Sequence, residues 1–176
     1  MSGTAYIFFG TPLKPTRINQ RTQRLFVNAL NNVLDQDYAK LVVSITSEGG
    51  FCEDGFIMYH ALRQVAEAIE VQTHAVMDCT SMAAVLHLAG DNRTFAPATV
   101  FGLHAASNED GIDPTYNTRI GEIYKDRANW SSHMCKKHFS STTLVMPTTK
   151  ELVDLKVFTQ VNPIHVPFSL VTHTIN

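Results

Sequence analysis

Three short stretches of this 176-residue chain hold the residue types that acyl transfer needs, in a workable order. Gly49-Gly50 closes "ITSEGG", Ser81-Met82 interrupts the apolar run "MDCTSMAAVLHLAG", and His104 ends "TVFGLH". A serine hydroxyl attacks a carbonyl only when a neighbouring imidazole takes its proton. Backbone N–H groups in a glycine turn or at a helix start can then receive the charge that develops on the carbonyl oxygen. Each residue also has an ordinary structural use. Glycines serve tight turns, serine is a favoured helix N-cap, and most histidines simply pack or face water.

Bringing such groups together requires a particular run of elements. "AYIFF" (5–9) reads as a short buried strand. Apolar residues at 18, 25, 26, 27, 30, 33 and 34 predict a helix from Ile18 to Leu34. "KLVVSIT" (40–46) is nearly continuous and β-branched, as a parallel strand covered on both faces should be. A helix over roughly Asp54 to Ile69 and a strand "VQTHAVM" (71–77) follow, then a helix opening near Ser81 with Gly90 as its C′ glycine. "RTFAP" and "TVFGLH" read as strands, and 115–139 as one long, polar helix. A short helix at 148–155 and strands "KVFTQV" (156–161) and "HVPFSLV" (165–171) finish the chain. Strand and helix in alternation predict a single α/β domain over 1–176, with ligands at the carboxyl edge of its sheet.

Composition narrows the function. Hydrophobic residues make up 44%, enough for one core, and a net charge of −2 without a basic patch argues against nucleic acid. No apolar run reaches the roughly 18 residues of a membrane span and no leader pattern opens the chain, so a soluble, cytoplasmic protein is expected. Cys52, Cys79 and Cys135 are an odd set without framework spacing and read as reduced thiols. His133 and His138 lie about 140° apart on a helix, so with Cys135 they form no shared metal face. Neither a metal nor a cofactor is expected.

Taken together, "ITSEGG", "CTSMAAVLHLAG" and "RTFAPATVFGLH" resemble the proteolytic subunit of the Clp protease over about Tyr6 to His104. The resemblance implies the Clp/crotonase fold of repeated ββα units with a long handle helix. It implies a serine endopeptidase acting on peptides or proteins as a ring or stacked-ring homo-oligomer. Ser81 becomes the nucleophile as well as the helix cap, and His104 the general base. Gly49, Gly50 and Met82 become the oxyanion and substrate-binding group.

Two departures qualify this. The family's third catalytic residue, an aspartate, aligns with Thr143, beside Thr142. A neutral partner orients an imidazole without stabilising its charge, and loss of that carboxylate elsewhere lowers kcat by about four orders of magnitude. Asp126 and Asp154 are the nearest acids, and Lys125 would serve a Ser–Lys variant. Val42 and Ser44 stand where the family docks an ATP-dependent unfoldase on aromatic side chains, and the sequence begins almost at its first strand, so that partner is not expected. The interval from His104 to Thr143 is short, implying a trimmed handle. Along the long helix, Ile120, Ile123, Tyr124, Trp130 and Met134 predict packing on a neighbouring copy. Two alternatives use the same residues: a crotonase-like acyl-CoA hydratase or isomerase, from "GGFCEDG", and a silent assembly subunit.

Overall fold

In the computed structural model, which describes residues 3–167 and 172–176, a parallel sheet is flanked by helices. The elements are β1 (Thr4–Phe9), α1 (Gln20–Leu34), β2 (Lys40–Ser47), α2 (Cys52–Val65), β3 (Glu70–Thr80), α3 (Met82–His87), β4 (Asn92–Phe95) and β5 (Val100–Gly102). A small hairpin of β6 (Ser107–Asn108) and β7 (Gly111–Ile112) precedes α4 (Pro114–Ala128), α5 (Ser132–His138), α6 (Thr149–Asp154) and β8 (His173–Ile175). Sheet order is β4-β3-β2-β1-β8, and β5 pairs with the far end of β3.

The continuous apolar runs sit where both faces are covered. In β2 every residue from Leu41 to Ser47 is buried, and β1 pairs with it in register, Phe8 opposite Ser44. α1 starts on a capping box of Asn19 and Thr22 and buries Thr22, Phe26, Ala29, Leu30 and Val33, an i, i+4, i+7 stripe. Beyond the central strands, Arg93 of β4 ties distant segments together. Its guanidinium donates to the carbonyls of Val157, Gly90, Arg127 and Lys156 at 2.8–3.0 Å. Burial lowers its pKa to about 10, so it stays charged at neutral pH.

Several expected elements differ. The long helix over 115–139 is two helices, because Asn129 adopts a left-handed conformation (φ 56°, ψ 34°) and caps α4, while the Ser131 side chain caps α5. Between them Trp130 turns into the core, where it stacks near Tyr124 and donates its indole N–H to the Leu155 carbonyl at 2.9 Å. Ile120, Ile123 and Tyr124 are likewise buried within the chain and Met134 is half-buried, so most of this stripe packs internally and not on a neighbour. α3 ends at His87 with Leu88 as its C-cap; Gly90 has no positive φ and offers its carbonyl to Arg93 and Arg127. "KVFTQV" forms no strand. Of "HVPFSLV", 165–167 are irregular and 168–171 lie outside the described residues; the sheet gains β8 beside β1 instead.

The interior also holds neutral histidines. The Thr94 hydroxyl donates to the Thr73 carbonyl (3.3 Å) and accepts from Gln72 (3.1 Å), so it also accepts from His74 Nδ1–H (2.8 Å). Burial, and to a lesser degree His165, pulls the His74 pKa down to about 4. His87, enclosed among Phe101 and Phe158, is held well below the usual histidine range by burial, Arg93 and His74. A depressed histidine pKa gives stability that is complete above the unfolded value of about 6.5 and is lost as pH falls through the folded value. We therefore expect unfolding free energy to drop between pH 6.5 and 4, by up to about 3 kcal/mol from His74 alone. Denaturant titrations should show a flatter profile over that window for His74→Gln.

Candidate active site

The site is built where β3 stops and α3 begins. Ser81 takes φ 56° and ψ −126°, a strained conformation for a residue with a Cβ. Its N–H is fixed to the Gly102 carbonyl at 2.9 Å and its carbonyl receives the Ala84 N–H at 3.0 Å. The side chain makes no capping bond, contrary to the expected double role. It meets His104 instead, with Oγ 2.7 Å from Nε2.

The histidine is held from both sides. Leu103 and Val145 exchange two backbone hydrogen bonds at 2.8 and 2.9 Å, and the Ala105 N–H donates to the Ser141 carbonyl at 2.8 Å. The 141–146 segment thus runs as an extra antiparallel partner beyond β5. Thr142, Leu144 and Met146 line the cleft with Ser81 and His104, by the period of two of an extended strand. Thr143 falls between them. Its side chain is exposed, its N–H bonds to Ser141 Oγ at 3.1 Å, and it makes no hydrogen bond to His104. His104 Nδ1 is buried and has no partner among the described residues.

Other candidates for that position lie elsewhere. Asp154 pairs with Lys150 at 2.7 Å on the solvent side of α6, and Lys125 is exposed on α4. Asp126 lines a separate groove of about 1090 Å³ between α1, α2 and α4, which contains none of the site residues. Cys135 turns inward toward the Gly121 carbonyl while His138 stacks near Trp130, and no group of three His, Cys, Asp or Glu among the described residues is placed to hold a metal. Cys52, at the start of α2, stays a thiol because burial, with Asp113 and Glu53 nearby, raises its pKa.

The two glycines have different tasks. Gly49 (φ 95°) donates its N–H to Ser47 Oγ and its carbonyl holds the Ile18 N–H, so its own groups are engaged. A Cβ there would lie 2.8 Å from Met82 N, Ser81 Cβ and the Thr80 carbonyl oxygen. Gly50 (φ 149°) lines the cleft of about 630 Å³, and neither its N–H nor that of Met82 has a partner among the described residues. Arg17, Glu48 and Asp78 complete the cleft wall; nothing in their spacing marked them in the sequence. Thr142, Leu144 and Met146 carried no signal either, since "TTLVM" runs from two polar to three apolar residues without alternating.

Residues 2–132 match the family model described as Clp protease, about three-quarters of the chain. The chain belongs to the Clp protease family. No curated protein matches the sequence. The fold is similar to the ClpP protease catalytic domain from Plasmodium falciparum, at 16% identity and a TM-score of 0.73, covering 92% of this chain and 87% of that one. So low an identity speaks for the fold. Within the Clp protease family match fall Gly49, Gly50, Ser81, Met82 and His104; Thr143 lies beyond it.

The close approach at Gly49 gives a test. Gly49→Ala adds an unfavourable dihedral and a clash with backbone, and we expect a loss of at least about 2 kcal/mol in urea unfolding. Gly111→Ala, with a similar φ of 114° but open space around the new methyl, should cost less. Equal costs would contradict the packing account.

Proposed function

We propose that this Clp protease family member is a serine-type peptidase in which Ser81 attacks the scissile carbonyl and His104 takes its proton. The observation that carries the reading is the 2.7 Å contact between Ser81 Oγ and His104 Nε2, made by a serine held in a strained backbone conformation. The Gly50 and Met82 N–H groups, without partners among the described residues, belong to residues that line cavities with Ser81 and suit the oxyanion. Gly49 supports them by letting the glycine turn lie against the start of α3. Peptides or proteins are the substrate class, through family membership.

The rate should be low. With no carboxylate on His104 Nδ1 among the described residues, the imidazolium formed on proton transfer lacks a charge to stabilise it. Thr143 would contribute little as it stands. An unfoldase has no aromatic anchor on β2, where Val42 and Ser44 are buried. The acyl-CoA hydratase alternative loses support to the family match.

Hydrolysis of small activated esters should be measurable for the wild type, with kcat about three to four orders of magnitude below enzymes with a charged third member. Ser81→Ala and His104→Ala should each reduce it to background without altering the fold. Wild-type turnover equal to that of Ser81→Ala would leave the silent-subunit alternative. We also propose a homo-oligomer, from the family and not from the α4–α5 region. Light scattering at micromolar concentration should return more than a monomer mass.

A further inference from the structure

A cavity of about 20 Å³ lies beneath Ser81, walled by apolar side chains of α3 and α4 together with Cys52, His104 and Tyr124. Tyr124 is completely buried, and its hydroxyl has no partner among the described residues. His104 Nδ1 is the other buried, unpartnered polar atom on this cavity's wall. Buried hydroxyl and imidazole groups almost always find partners, because an unmet one keeps its full desolvation cost. A single water needs roughly 10–15 Å³ and two to four polar neighbours; this cavity has the volume, and two of its lining residues each carry an unmet polar atom.

We propose that Tyr124 is a positioning residue for His104, its hydroxyl reached through one water seated in this cavity. The inference rests on the Ser81–His104 reading above. His104 Nδ1–H donates to the water oxygen, the water donates to Tyr124 Oη, and the Cys52 thiol supplies a further weak contact. With its proton fixed on Nδ1, the imidazole turns the lone pair of Nε2 toward the Ser81 hydroxyl, 2.7 Å away. The tyrosine can hold this geometry because its ring is clamped on α4, with centroids 4.5 Å from Trp130 and 5.2 Å from Phe139. Burial keeps the phenol neutral. It therefore orients the imidazole without stabilising its charge, in keeping with slow turnover. Thr143, Asp126, Asp154 and Lys125 are all exposed, and none makes a hydrogen bond to the ring.

Nitrogen-15 spectra of the histidine-labelled full chain test this directly. In the wild type, neutral His104 should be the Nδ1–H tautomer, with a slowly exchanging Nδ1 proton that shows magnetisation transfer to a bound water. Tyr124→Phe keeps the ring and its packing while removing the hydroxyl. It should move the tautomer population toward Nε2–H, speed exchange of the Nδ1 proton, and lower kcat for ester hydrolysis about tenfold with KM unchanged. A folded Tyr124→Phe protein with an unchanged His104 tautomer would overturn the proposal, as would a wild type in the Nε2–H form. Should Tyr124→Phe not fold, the wild-type tautomer and water transfer decide the question alone. Absence of wild-type hydrolysis would count against the peptidase reading, whereas the spectra still judge the tyrosine.

Discussion

Everything at the candidate site depends on how closely the turn after β2 approaches the turn after β3. Ser81 can point its hydroxyl out of the sheet only in a positive-φ conformation, which costs on the order of 1–3 kcal/mol. That cost is offset by a dense set of constraints. The Ser81 N–H is tied to Gly102, and the Gly49 backbone lies against Ser81 Cβ and Met82 N, closer than any side chain would permit. Remove the approach and the strained serine has no reason to persist. The same contact brings the glycine turn against Met82 N, so the proposed nucleophile and the proposed oxyanion donors share a single structural cause.

The second constraint is electrical. Around His104 the fold supplies hydrogen-bonding groups and apolar walls, and although Glu48 and Asp78 line the cleft, no carboxylate among the described residues is hydrogen-bonded to Nδ1. Aspartates exist on neighbouring helices, yet Asp126 faces another groove and Asp154 is committed to Lys150. A tetrahedral intermediate could still be stabilised by the two N–H donors, since that term is independent of the third residue. The imidazolium is what goes unsupported. The candidate site thus favours orientation over charge stabilisation.

Much of this was legible in the sequence. The crossovers follow from local pattern, whereas the glycine pair, Ser81 and His104 each favour an ordinary structural use when read locally and stand out only through their order and the resemblance of the three stretches to the Clp protease. What was not legible depended on tertiary contacts. Nothing local shows that Ser81 forgoes capping, because the competing partner is 23 residues away. The break at Asn129 was hidden, since 115–139 is compatible with helix throughout and only the pull of Trp130 into the core decides otherwise. The partner of His104 was sought by alignment at Thr143, but a one-residue step along an extended segment exchanges cleft and solvent, leaving Thr142 on the cleft side. Tyr124 reads as part of a helix stripe; that it lines a cavity with Ser81 and that its hydroxyl has no partner among the described residues emerges only from three dimensions.

The central claim is that the fold makes Ser81 a nucleophile through His104. The most direct measurement is mass-spectrometric mapping after treating the purified chain with an alkyl fluorophosphonate. The account predicts one adduct, on Ser81, that forms much more slowly in His104→Ala. An unmodified Ser81, or an adduct formed at equal rate without the histidine, would contradict it.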